Sequence, residues 1–225
     1  MSLDRSTIIE VINYCKRDII PQTDNSTNIQ HQSEWFISYF SFLSNTPLEK
    51  HLGEAFYQAR FIYKLMSALS LPVAKNMGIV KFQIIQYASI CEAILDSAIH
   101  KYFMAEADTY FSIEEFTKYP QAISDLTKIT HGGDELVLCK AKKKKVPLKI
   151  QRVDKKTTFA VRKGLITQNT KEAYDTLYNL RNNVHILKAS QTNYTPILRE
   201  ARDSFILMQK FVSEIKNYYT NHPNT

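Results

Sequence analysis

Apolar residues recur along most of this chain at three- and four-residue intervals, the spacing that lines one face of a helix. The first such run covers residues 3–20, with Ile8, Ile9, Val11, Ile12 and Ile19 on a broad apolar face and Pro21 as its stop. Residues 22–32 are Asn, Thr, Ser and Gln with almost no apolar content, which reads as a loop. Trp35, Phe36, Tyr39, Phe40 and Phe42 then crowd residues 33–43, a density that marks core or interface. Thr46-Pro47-Leu48-Glu49 matches a capping box with proline at the first helical position. From it Leu48, Leu52, Phe56, Ala59, Tyr63, Met66 and Leu69 keep helical spacing up to Pro72. Residues 79–103 are apolar nearly all round, as expected of a helix at the centre of a bundle.

Within that central run Glu92 is the exception. A buried carboxylate needs a partner. Arg181 is the candidate, and a solvent-facing Glu92 is the alternative. The pattern then becomes shorter and less regular. Ser112-Ile113-Glu114-Glu115 matches a second capping box, predicting a short helix before Pro120, and residues 121–129 predict another closed by Gly132-Gly133. Residues 135–139 and 146–150 read as two strands of a hairpin whose connection is Lys140 to Lys145, with Pro147 placing the second strand at an edge. A helical turn from Thr158 ends at Gly164, and Asn169 or Thr170 caps a further helix in which Leu177, Leu180 and Val184 form the buried stripe. Residues 190–194 are a polar linker. Thr195-Pro196 opens the last helix, with Ile197, Ala201, Phe205, Met208, Phe211, Ile215 and Tyr219 in register and a frayed tail past Thr220. The class is mainly α, a helical bundle with one short β-hairpin insertion.

Charge adds a feature that periodicity does not. The 225 residues carry a formal +7, but residues 140–163 hold eleven Lys or Arg and one acid, Asp154, for a local +10 against −3 elsewhere. Such a segment attracts polyanions, of which nucleic acid is the commonest inside a cell. A solvated hairpin kept soluble by lysines is the other reading. Cys15, Cys91 and Cys139 are scattered and odd in number, which points to a reducing cytoplasm. The start has no basic segment followed by an apolar core, and the apolar run 79–103 carries Lys81, Glu92 and Asp96, so neither a leader nor a membrane span is expected. His31, His51, His100, His131 and His222 lack companions at zinc spacing, Gly132-Gly133 lacks the Lys-Ser/Thr of a phosphate loop, and no Gly-x-Ser-x-Gly occurs. Neither metal nor cofactor is expected.

The chemistry-bearing stretch is residues 174–188, where Arg181 and His185 stand four apart. On a helix that spacing stacks a permanent cation and an imidazole on one face. Leu180-Arg181-Asn182-Asn183-Val184-His185 resembles the Arg-Asn-(x)-His signature of HEPN domains, small helical bundles of toxins, defence systems and RNA-processing proteins. The resemblance covers residues 73–219: a long helix with an internal Glu, a variable insertion, the motif helix and a closing helix. Residues 1–72 then form N-terminal helices on the same core, and 73–225 the HEPN-like bundle with its basic hairpin at about 134–152. Active family members place four to six residues between Arg and His; three intervene here.

The resemblance implies metal-independent RNA cleavage, in which a ribose 2′-hydroxyl attacks the adjacent phosphate. His185 would be the general acid or base, Arg181 the phosphate clamp, Asn182 the group that orients one of them, and Glu92 a supporting residue. Lys140, Lys142, Lys143, Lys144, Lys145, Lys149 and Arg152 would attract the strand. HEPN sites are composite, which implies a homodimer through the motif helices. Two other readings stay open. Arg181, Asn182-Asn183 and His185 also suit the capping of a helix C-terminus. The chain also reads as a non-catalytic scaffold or antitoxin-type partner, or as an RNA-binding module without chemistry.

Overall fold

A helix that is apolar on every side can be stable in water only if other helices surround it, and that requirement organises this chain. The computed structural model describes residues 4–17, 29–69, 77–119, 129–183, 190–191 and 193–223. Its helices are α1 (Arg5–Arg17), α2 (Ile29–Ser38), α3 (Thr46–Ala68), α4 (Met77–Tyr110), α5 (Val153–Arg162), α6 (Gln168–Asn183) and α7 (Leu198–Asn221). With 73% of the described residues in helices and 10% in strands, the protein is mainly α. It divides into two compact units, Met1–Ala98 with Val153–Thr225, and Ile99–Arg152. The boundary falls inside α4, and the helices before residue 72 share a unit with residues 153–225.

In the larger unit α4 supplies Ile84, Ala88, Cys91, Ile94 and Leu95, all fully buried. Burial pushes the Cys91 thiol well up, so it packs as a small apolar group. The aromatic run becomes core on one side only: Phe36 and Phe40 are buried, whereas Trp35 stays 37% exposed. Phe36 meets Phe56 edge to face at 4.8 Å, and Phe56 continues the cluster to Phe205 at 6.0 Å. Each ring so buried contributes about 1.5–3 kcal/mol. Helices α2 and α3 approach closely because position 53 is glycine; a Cβ there would sit 2.7 Å from the Ile37 backbone nitrogen.

Several local expectations are corrected. The α3 cap is Asn45, not Thr46: its side chain accepts from the Leu48 N–H at 3.2 Å while Glu49 accepts from the Asn45 N–H at 2.9 Å. Thr167 caps α6 in place of Asn169 or Thr170, accepting from the Thr170 N–H, and Glu214 of α7 accepts from both threonine hydroxyls. Helix α5 starts at Val153, five residues before the expected Thr158. The apolar face of α1 is not buried: Ile8, Ile9 and Ile12 are 43%, 49% and 44% exposed, while Tyr14 approaches Ser67 of α3. The expected loop at 22–32 is helical from Ile29, where α2 begins; its residues 22–28 lie outside the described residues, as do Ile19 and Pro72.

The smaller unit departs most from expectation. Residues 113–118 form strand β1, not a capped helix, and pair antiparallel with β4 (Cys139–Lys144). Glu114 faces Lys143 and Glu115 faces Lys142, so opposite charges meet across the ribbon and Ile113, Phe116 and Thr117 find the extended backbone they prefer. The lysine run is therefore a strand rather than a connection. Residues 146–150 are not a strand either; Leu148–Ile150 is a single 3-10 turn. Strands β2 (Ile129–His131) and β3 (Asp134–Leu136) form a second hairpin, turned by Gly132 and Gly133 at φ +62° and +93°, where side chains are strained. Of the helix expected at 121–129, Ile129 belongs to β2 and residues 121–128 lie outside the described residues.

Among the described residues one helical stretch, Gly78–Tyr110, is long and apolar enough to cross a membrane by length and composition, and half of its most apolar window is buried.

Candidate active site

The motif helix reaches the centre of the bundle through a chain of charges. Glu92 and Asp96 stand one turn apart on α4, so both carboxylates point to one side. Lys156 of α5 comes between them, fully buried, with its ammonium 2.8 Å from Asp96 Oδ2 and 3.8 Å from Glu92 Oε1. Its four-carbon stem packs in the core and only the tip is polar. Arg181 of α6 closes the series by donating from Nη1 to Glu92 Oε2 at 2.5 Å.

Two carboxylates and two cations thus cancel in a cluster that ties α4, α5 and α6 together. Burial raises the Asp96 carboxyl above its ordinary range, Lys156 draws it back and Glu92 adds to the rise. Its second oxygen, Oδ1, is buried with no hydrogen-bond partner among the described residues. Beneath the cluster Tyr174, fully buried, donates to the Ala88 carbonyl at 3.3 Å and packs on Phe211 at 4.9 Å. Alongside it Thr157 of α5 donates to Asp175 of α6, whose other oxygen takes Lys171 at 2.6 Å.

Arg181 therefore has a fixed position. One side of its guanidinium is held by Glu92, its carbon lies 5.4 Å from the Tyr178 ring centroid, and the side chain is 28% exposed. A guanidinium has five N–H donors, so the group retains donors for an anion. Asn182 follows it, half-buried, its side chain with no hydrogen-bond partner among the described residues. His185 lies outside the described residues, as does Val184. Of the residues singled out by sequence, Arg181 and Glu92 are brought together.

The lysine strand belongs to the other unit. Lys144 pairs with Glu115 at 3.2 Å and Lys145 with Asp108 at 2.7 Å, whereas Lys140, Lys142, Lys143 and Lys149 have no carboxylate partner among the described residues. Arg152 ends this unit. Folding also dilutes the charge of the run. Residues 99–152 hold ten Lys or Arg and seven Asp or Glu, a net +3, because strand pairing brings Glu114 and Glu115 alongside and α5 takes Lys155, Lys156, Arg162 and Lys163 into the larger unit.

Sequence reasoning missed Lys156 and Asp96. A signal existed: Val153, Lys156, Thr157 and Ala160 have the spacing of a buried stripe, so Lys156 is a cation at a core position. Among the described residues no group of three or more His, Cys, Asp or Glu is placed to hold a metal ion. No family model, curated protein or solved structure matches the chain.

Proposed function

We propose that this chain is a HEPN-like, cytoplasmic, metal-independent endoribonuclease of toxin or defence type, acting as a homodimer joined through α6. The observation that supports this reading best is the Glu92–Arg181 pair, which holds a partly exposed guanidinium on the last turn of the motif helix. His185 follows four residues later.

In this reading His185 takes the proton of a ribose 2′-hydroxyl or gives one to the departing 5′-oxygen. The 2′-oxygen bonds to phosphorus, the bond from phosphorus to the 5′-oxygen breaks, and a 2′,3′-cyclic phosphate remains. Arg181 neutralises the non-bridging oxygens as charge builds on them, and Asn182 orients one of the two side chains. The exposed Lys140, Lys142 and Lys143 raise the local RNA concentration, an effect that added salt removes.

The test is incubation of RNA with the purified chain in EDTA, wild type against His185→Ala. We expect cleavage that survives EDTA, leaves cyclic phosphate ends and falls about 100-fold or more in the variant. No cleavage by the wild type, or equal cleavage by both, refutes the reading.

A second reading is favoured by the exposed Ile8, Ile9 and Ile12 face of α1: a non-catalytic interaction protein of scaffold or antitoxin type. It gives a dimer or hetero-complex with no RNA turnover. Substituting Asp for Ile8 and Ile12 then breaks the complex and leaves the monomer folded.

A further inference from the structure

Strand β4 has two edges, and β1 occupies one of them. Among the described residues no strand pairs with the other edge and no backbone hydrogen bond reaches it. Every second residue of β4 therefore directs an N–H and a C=O outward, a row that an extended chain can complete. Both faces of the ribbon are open as well: all six residues of β1 and five of the six of β4 are exposed. A ribbon of two strands is marginal in water, and a third strand is what ordinarily stabilises such a unit.

The side chains along this edge select the chain that fits it. Successive residues of a strand alternate between faces, so Lys140, Lys142 and Lys144 stand about 7 Å apart on one face, with Ala141 and Lys143 on the other. Lys144 is engaged by Glu115, while Lys140, Lys142 and Lys143 have no carboxylate partner among the described residues. A second β4 laid on this edge would set lysine against lysine. An acidic strand would set carboxylates against them, as β1 does on the first edge, where Glu114 faces Lys143 and Glu115 faces Lys142. Strand β1 also brings Phe116 opposite Ala141 and leaves it 64% exposed. Alanine is too small to separate that ring from an apolar side chain placed on its other flank.

Nucleic acid fits this edge less well than a peptide does. It has no row of peptide groups to meet the unpaired backbone, and Glu114 and Glu115 stand among the lysines, where they repel phosphates. A peptide strand satisfies the backbone and the lysines together.

We propose that the free edge of β4 docks an acidic, extended segment of another protein, which adds to the ribbon as a third strand. Its pattern follows that of β1: carboxylates opposite Lys140, Lys142 and Lys143, and an apolar residue opposite Ala141. Main-chain hydrogen bonds supply the affinity and the alternating side chains the specificity. Arg181 belongs to the other unit and binding is read without RNA turnover, so this proposal and the cleavage reading fail separately.

The probe is a labelled peptide, Thr-Ile-Glu-Glu-Phe-Glu-Val, titrated with the full chain and followed by fluorescence anisotropy. It is compared with a version carrying Gln for Glu, with two versions methylated at either the odd or the even backbone nitrogens, and with an oligouridylate of equal charge. We expect the acidic peptide to bind about tenfold or more tightly than the Gln version. In an added strand only one alternate set of N–H groups faces β4, so one methylated peptide loses about tenfold or more and the other keeps its affinity. Lys142 and Lys143 are exposed, so Lys142→Gln with Lys143→Gln keeps the fold and weakens binding about tenfold or more. Hydrogen exchange at the β4 amides slows when the acidic peptide binds. No binding at millimolar concentration, or the same affinity for both methylated peptides, overturns the proposal. So does an oligouridylate that binds more tightly than the peptide, which marks a nucleic-acid surface, or assembly of the chain with itself through this edge, which marks a second copy.

Discussion

Two stretches of α4 differ in how their buried polar groups are met. Around Glu92 and Asp96 every charge has an opposite partner brought by α5 or α6. Three turns earlier Gln83 has no hydrogen-bond partner, and the arginines beside it, Arg60 and Arg202, no carboxylate, among the described residues. The same helix thus carries a cluster whose charges are paired, with Asp96 Oδ1 alone left unmet, and a carboxamide met at neither end. A cluster whose charges cancel holds helices in place and fixes Arg181; a buried carboxamide with unmet groups costs the fold stability.

The contrast can be broken most sharply at Lys156. Lys156→Met leaves Glu92 and Asp96 close together with Arg181 alone to offset them, and we expect a loss of about 3–5 kcal/mol in urea unfolding at neutral pH. If the cluster were solvated rather than self-cancelling, the change would be near zero. At the unmet carboxamide the sign reverses. Gln83→Leu removes a desolvated group and should leave the chain more stable by about 1–2 kcal/mol, read from the same unfolding curves.

A smaller effect belongs to Asp96, whose carboxyl burial raises above its ordinary 3.8. Between 3.8 and the raised value the folded chain holds a proton that the unfolded chain has released, so this group's contribution to stability is lost as pH rises through that window. Unfolding midpoints stepped through that window should fall with pH more steeply in the wild type than in Asp96→Asn; parallel curves would contradict the assignment. The smallest effect lies in the ribbon. Lys144 and Glu115 are both more than half exposed, so Glu115→Gln should change stability by less than about 1 kcal/mol while raising RNA affinity at low salt.

How much of this could be read in the sequence depended on how local the cause was. Helices α3, α4 and α7 follow from their own periodicity, and the Glu92–Arg181 pair from the cost of a lone carboxylate in an apolar helix, although 89 residues separate the partners. Strand β1 could not be read this way. Ser112-Ile113-Glu114-Glu115 satisfies the local rule for a helix start, and only its register with Lys142 and Lys143 makes it a strand. Lys156 was hidden by company: in a run of exposed lysines its core spacing carried no weight, yet it is the buried cation on which the carboxylates depend. The α1 face errs in the opposite direction, since amphipathic spacing says that a face is apolar but not that this chain covers it.

In the proposed reading Glu92 holds Arg181 for work on RNA and not for stability alone. The most direct measurement is the cleavage rate in EDTA of Glu92→Gln against wild type, taken with the melting temperature of each. We expect the rate to fall about tenfold or more at a temperature where both chains remain folded. A variant that melts earlier but cleaves at the wild-type rate, or a wild type that does not cleave, would contradict it.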